Sequence, residues 1–266
     1  MNFTFALAQF ELFVLILIRL ASFVFAAPFF NMANVPNRVK IGFSFCLTIM
    51  VYSLFPDMSV EYNGMIEYAI IVVEEIIVGI LLGAVSSFCV QIIMFAGKII
   101  DMDIGISMAQ LYDPTTRMQV GIMGNFYYYM MMLLLIISGM HQYLVSAIVE
   151  TYRVIPIGGV KFGAGIYTGI IGFVSDFFVI GFRIALPVFA AILMLNCVLA
   201  ILAKVSPQMN MFVVGMQLKI FVGIFVILFT ISMLPSVSNF ILDEIEKMYK
   251  KLKYTDEIEE ILQEYV

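Results

Sequence analysis

Charge is what this sequence has least of. Only 12% of its 266 residues are Asp, Glu, Lys or Arg, against roughly a quarter in soluble domains, while 63% are hydrophobic and the mean hydropathy is +1.05. A single soluble core cannot hide that much apolar surface, so lipid or an apolar multi-subunit assembly has to act as part of the solvent. Histidine occurs once, at His141, and cysteine three times, at Cys46, Cys89 and Cys197, widely separated in apolar runs and without CxxC spacing. No metal ligand set follows from that pattern, and the cysteines read as small buried hydrophobes. Walker A, G-x-S-x-G and H-E-x-x-H motifs are all missing, so the sequence offers no recognised machinery for nucleotide-driven work or hydrolysis. We read it as a non-enzyme without cofactor.

A cationic footprint is missing too. Of the net charge of −5, four units belong to the tail from Asp243 onward, which holds eight carboxylates against four lysines, and the body is close to neutral. Nucleic acid is therefore excluded as a partner class. The stretch from Met1 to Gln9 lacks the basic n-region and small-residue cleavage site of a removable signal, so the first apolar run is expected to stay.

What the chain does have is apolar length. Hydrocarbon demands about twenty apolar residues per helix, and Phe3 to Phe30, Ile66 to Ala96, Ile122 to Ser138, Ile166 to Ala203 and Met211 to Leu234 come near or exceed that length. A sixth unit, Ile41 to Phe55, is shorter, lies between Pro36 and Pro56, and is expected not to cross fully. The fold class is thus an all-α integral membrane protein of long, kinked helical hairpins. Pro187 divides the run from Ile166 into halves. Residues 1–240 read as the membrane domain and 241–266 as a charged amphipathic helix, with Ile241, Ile245, Tyr249 and Leu252 at helical spacing. Lys and Arg in alternate loops of a six-span arrangement divide five against six, which selects no orientation.

Polar residues interrupt the apolar runs at Glu11, Arg19, Glu67, Glu74, Glu75, Asp176, Arg183, Asn196, Gln217 and Lys219. A charged one at a lipid-exposed helix centre costs about 2.5 to 3.5 kcal/mol. Glu11, Glu67 and Lys219 either snorkel from helix ends or join the rest in needing protein or water around them. Glu74, Glu75, Asp101, Arg183 and Asn196 are the candidate intramembrane contacts. Asp101 and Asp103, too few for a calcium loop, would with Arg183 line the path of a small-solute or ion transporter, the competing function.

Three segments carry more information than their composition. Gly97 to Pro114 is bracketed by Gly97, Gly105 and an Asp113-Pro114 turn and filled with flexible Met and Leu, which suits a loop packed in a confined apolar place or an ordinary re-entrant connection. Ser138 to Gln142 closes a run rich in Tyr and Met; its lone His141 is better suited to hydrogen bonding at a helix end than to catalysis. Lys204, Pro207, Gln208 and Asn210 sit in a polar break between two apolar runs, either the tip of a helical hairpin or a solvated turn.

In these segments the sequence resembles the FliR/SctT family of type III secretion export-gate subunits, best its flagellar branch. The shared residues run through Arg19, Pro28, Val35, Pro36 and Arg38, the Gly97 to Pro114 block, Gly139-Met140-His141, Leu186-Pro187, and Ser206-Pro207-Gln208-Met209-Asn210-Met211-Phe212 to Gly215. That resemblance implies an inner-membrane subunit of the flagellar basal body that looks like a FliP and a FliQ joined. It implies a helical pore assembled with FliP and FliQ, bordered by FlhB and other export-apparatus proteins, surrounded by membrane lipid and traversed by unfolded export substrates. It further places the family's pore plug on residues 105–121, giving Gly105, Ile106, Ser107, Met108, Leu111, Tyr112, Asp113 and Pro114 as gate residues. Met108 and Leu111 stand where members often carry Phe, which keeps the plug apolar but removes any aromatic contact.

Overall fold

The computed structural model describes residues 3–32, 34–56, 58, 60, 62–105, 121–159, 164–239 and 243. They are helical and contain no strand: α1 Phe3–Ala26, α2 Asn37–Leu54, α3 Met65–Ile104, α4 Ile122–Ile137, α5 Met140–Val154, α6 Ala164–Val205 and α7 Met211–Thr230, with single 3₁₀ turns at Phe29–Asn31 and Ile231–Met233. Four helical stretches, Leu7–Ala26, Met65–Ile104, Ile171–Val205 and Met211–Thr230, are long and apolar enough to cross a membrane, and α4 with α5 forms a bent pair that would make a fifth. Among the described residues, then, four or five of the six apolar units of the sequence have the length and composition of a span. The shortest, Ile41 to Phe55, falls on α2, which carries Asn37, Arg38, Lys40, Ser44 and Thr48 on only 18 residues.

The chain divides into two compact units. The first takes Met1–Phe88 and Gly139–Ile171, the second Cys89–Ser138 and Gly172–Leu242. In the first, α1 packs its Leu15, Ile16, Leu20, Phe23 and Val24 out of solvent. Phe13 meets Phe45 and Tyr52 of α2 edge-on, at 5.6 and 6.0 Å. The polar side chains of α2 are absorbed locally. Lys40 donates to Asn31 at 2.7 Å, Ser44 to the Lys40 carbonyl at 2.9 Å and Thr48 to the Ser44 carbonyl at 2.8 Å. Helix α5 adds Leu144, Ile148 and Tyr152 to this core.

Close approach of α1 and α3 depends on Gly79-Ile80-Leu81-Leu82-Gly83, two glycines four apart in an apolar helix. A methyl group on Gly79 would collide with Ser22 Oγ and the Arg19 carbonyl, and one on Gly83 would lie 2.6 Å from Ala26 Cβ and 2.8 Å from the Phe23 carbonyl. Backbone atoms cannot swing aside as a side-chain tip can, so Gly79→Ala is expected to destabilise by about 1 to 3 kcal/mol. The same change at Gly42, where no atom lies within 4 Å of the new methyl, is expected to be neutral or mildly stabilising because alanine favours helix. Thermal denaturation of the two purified variants checks the contrast; equal midpoints would remove the packing role of Gly79.

In the second unit the C-terminal part of α3 packs on α4, α6 and α7. Phe95 gathers Phe177, Phe178 and Phe182 of α6 at ring separations of 5.5 to 5.8 Å, and Gly181 makes room for the Phe95 ring. Helices α6 and α7 form a hairpin joined at Ser206–Asn210, with Gly215 against Leu199. Much of this hairpin remains uncovered: only 22% and 17% of the apolar windows of α6 and α7 are buried, against 56% for α3.

Candidate functional site

The segment that sequence analysis singles out has a built foot in the second unit. Gly97 to Ile104, expected as part of a loop, are the last two turns of α3. Gly97 is there because α4 crosses at that point: any Cβ would overlap the backbone of Gly124. The helix stops at Gly105, whose φ of +87° ends it in the left-handed conformation open to glycine. Helix α4 begins after Gly121, which has no side chain with which to cap it. The cap is supplied from α3. Asp101, 2% exposed, accepts the Met123 N–H at 3.1 Å on Oδ1 and the Gly124 N–H at 3.3 Å on Oδ2. A carboxylate at that helix end satisfies two orphan donors and lies at the positive end of the dipole.

The chain thus enters residues 106–120 at Gly105 and returns at Gly121, both beside the final turn of α3. A Cβ on Gly121 would fall onto Asp101 Oδ2, so glycine here keeps the carboxylate seated. Asp103, on the same turn, faces the charge of Lys219 on α7. Ile104 packs where Gly223 leaves space. Asp101 is therefore spent on α4, whereas Asp103 feels only the charge of Lys219 and its Oδ2 is buried without a hydrogen-bond partner among the described residues. Of the gate residues, Gly105 is the one described; Ile106, Ser107, Met108, Leu111, Tyr112, Asp113 and Pro114 lie outside the described residues.

A second polar centre is buried in the first unit. Arg19 of α1 and Glu75 of α3, both with side chains 0% exposed, form a two-pronged ion pair: Nε and Nη2 donate to Oε2 and Oε1, the latter at 2.9 Å. Arg19 Nη1 also donates to the Ile155 carbonyl at 3.0 Å, its guanidinium lies 4.4 Å from the Tyr152 ring centre, and Glu75 Oε1 accepts the Gly158 N–H at 3.4 Å. Tyr152 in turn donates to the Ile16 carbonyl at 3.1 Å. This knot ties α1, α3 and the end of α5, and satisfies charges that would otherwise be prohibitive in an apolar surround. Near its outer end Glu11 accepts the Tyr62 hydroxyl at 2.6 Å, and that bond, more than burial, raises the Tyr62 phenol above its ordinary pKa.

The remaining sequence candidates do not converge. Glu74 is half-buried beside Glu75, Asn196 and Arg183 are exposed on α6, and none of the three has a hydrogen-bond or ion-pair partner among the described residues. Lys204, Pro207, Gln208 and Asn210 fall at the exposed junction of α6 and α7, where Met209 N–H bonds the Ser206 carbonyl at 3.2 Å. His141 is one residue inside α5, with Nδ1 buried and unpartnered among the described residues. Only Cys89 is a buried cysteine; Cys46 and Cys197 are exposed on apolar helices, contrary to their reading as buried hydrophobes. The tail helix expected over 241–266 lies outside the described residues apart from Asp243. Two features went unread in the sequence: the pairing of Arg19 with Glu75, and Gly79/Gly83, whose four-residue spacing was visible.

Comparison with known proteins adds the family. Residues 10–245 match the profile of the bacterial export proteins, family 1. The chain is 28% identical to the flagellar biosynthetic protein FliR of Escherichia coli K12, over 78% of this chain and 79% of that one. It is 29% identical to the Bacillus subtilis FliR, over 85% and 88%, and 24% identical to that of Aquifex aeolicus, over 89% and 90%. With the match running through both helical units and the foot built at Asp101, the chain belongs to the FliR family of bacterial export proteins.

Proposed function

We propose that this chain is a non-catalytic subunit of the flagellar type III export channel, which builds the pore with FliP and FliQ beside FlhB in the bacterial inner membrane and closes it with residues 105–121. Family membership makes it a component of the flagellar export apparatus. The observation that supports the sealing role is the foot of the 106–120 segment. Asp101 caps α4 while Gly105 ends α3, so both ends of the segment are anchored at one point. Gly105 and Gly121, at the two ends of the segment, permit the backbone dihedral changes that opening would require. Energy comes from other components. The largely uncovered α6–α7 hairpin supports assembly, since its exposed Phe, Leu and Ile side chains suit packing by neighbouring subunits.

The transporter reading has less support, because Asp101 is occupied by backbone donors, Asp103 faces Lys219, and neither carboxylate lines the cleft that contains Arg183. Expression separates the two. Purified alone, a gate subunit is expected to conduct and bind no small solute, and to form a stable particle only when FliP and FliQ are co-expressed. Solute transport by the isolated, reconstituted chain would overturn the proposal.

A further inference from the structure

The second unit holds one charge whose surroundings ask for something outside the chain. Arg183 lies within the apolar stretch Ile171–Val205 of α6, is exposed, and has no hydrogen-bond or ion-pair partner among the described residues. It sits at the edge of a cleft of about 270 Å³ lined also by Tyr127, Ile184, Pro187, Thr230 and Leu234. Two hydroxyls of that wall are already used, since those of Tyr127 and Thr230 bond each other at 2.8 Å and Thr230 bonds the Ile227 carbonyl at 3.0 Å, which leaves the small Ser236 as the other polar side chain of the lining. Pro187 has no N–H to give the Arg183 carbonyl four residues earlier. One level of an apolar helix thus presents an unpaired cation and a carbonyl lacking its helical donor. Seven residues before Arg183, and so on nearly the same face, Asp176 is exposed and likewise without a partner among the described residues.

We infer that Arg183 docks a membrane helix of a neighbouring subunit through a carboxylate on that helix, with Asp176 opposite a cation or amide two turns away. The occupant is protein rather than lipid for two reasons. Arg183 is twelve residues from one end of the apolar stretch and twenty-two from the other, about 18 and 33 Å along the helix axis, so apolar helix surface that suits a partner helix flanks it on both sides. Asp176, about 10 Å away along the axis, would repel a phosphate but fits a helix carrying opposite charges at matching spacing. Flanking Val179, Phe182 and Leu186 are all about half exposed and supply the apolar margin. This interface rests on the multi-subunit reading above and adds its chemistry.

The test uses the chain tagged and co-expressed with FliP and FliQ. R183E is expected to lower co-purification of the other subunits roughly tenfold or more through like-charge repulsion, R183K to retain most of it, and reversal of one Asp or Glu in a co-purifying subunit to restore R183E. A photo-crosslinker at Phe182, with Arg183 intact, is expected to label a helix of another subunit bearing an acidic residue; this holds even should R183E be degraded. Labelling of lipid alone, or an undiminished complex with R183E, would overturn the inference. If the unaltered chain brings down no other subunit, the multi-subunit reading itself falls, and the interface with it.

Discussion

An Arg19→Met chain is expected to be destabilised by about 3 to 5 kcal/mol, because Glu75 would remain as an uncompensated charge with no access to water. Glu75→Leu should behave alike, with Arg19 left over. The double variant Arg19→Met/Glu75→Leu should recover most of the loss, since apolar groups of similar volume replace the pair without a stranded charge. Recovery is not expected to be complete. The Ile155 carbonyl and the Gly158 N–H, both in part-buried bonds, lose the partners that Arg19 and Glu75 supply, and each such bond contributes about 1 kcal/mol. Thermal denaturation of the four detergent-purified proteins gives the coupling directly. Adding salt should leave the native pair's contribution unchanged, because a fully enclosed ion pair is little screened. Losses in the double variant equal to the sum of the single losses would show that the two residues act independently.

Excision of residues 106–120 from the assembled complex is expected to produce the largest functional change, a steady ion leak across the membrane in the absence of export. Asp101→Ala should leak to a smaller extent, since it leaves the segment in place but frees its foot. The Met123 and Gly124 N–H groups lose a charged acceptor worth about 1.5 to 3 kcal/mol. Asn at position 101 keeps one acceptor oxygen and is a good cap, so it should lie closer to the parent. Gly121→Val should resemble Asp101→Ala, because its side chain occupies the position of the carboxylate oxygen. Membrane-potential dyes in cells and conductance of the reconstituted complex measure the series. A tight complex after the excision would end the sealing proposal.

Apolar length made most of the fold legible: every long hydrophobic run became a helix, because nothing else satisfies backbone groups in that surround. The failures are local and have identifiable causes. Gly97, Asp101 and Asp103 look like loop residues when read along the chain, yet all three are helical, the glycine serves a helix crossing and Asp101 caps a neighbouring helix. Helix α5 was not recognised because its apolar residues, among them the buried Leu144, Ala147, Ile148 and Tyr152, are interrupted by His141, Gln142, Ser146, Glu150, Thr151 and Arg153, so no long apolar run announces it. Its start depends on Gly139, with φ of +76°, and the preceding glycine-containing stretch read as an end. The partners Arg19 and Glu75 are 56 residues apart, and composition shows that such residues need company without showing whose. For the gate, glycine placement at 105 and 121 was readable, while the capping role of Asp101 depends on which helix end lies beside it.

The 40 residues of α3 amount to about 60 Å of helix, twice the roughly 30 Å of a hydrocarbon layer. Tilting within the usual range leaves part of that length outside the hydrocarbon. Its outer turns, with those of α6, are apolar surface that suits cover by protein, as the proposed multi-subunit assembly would supply.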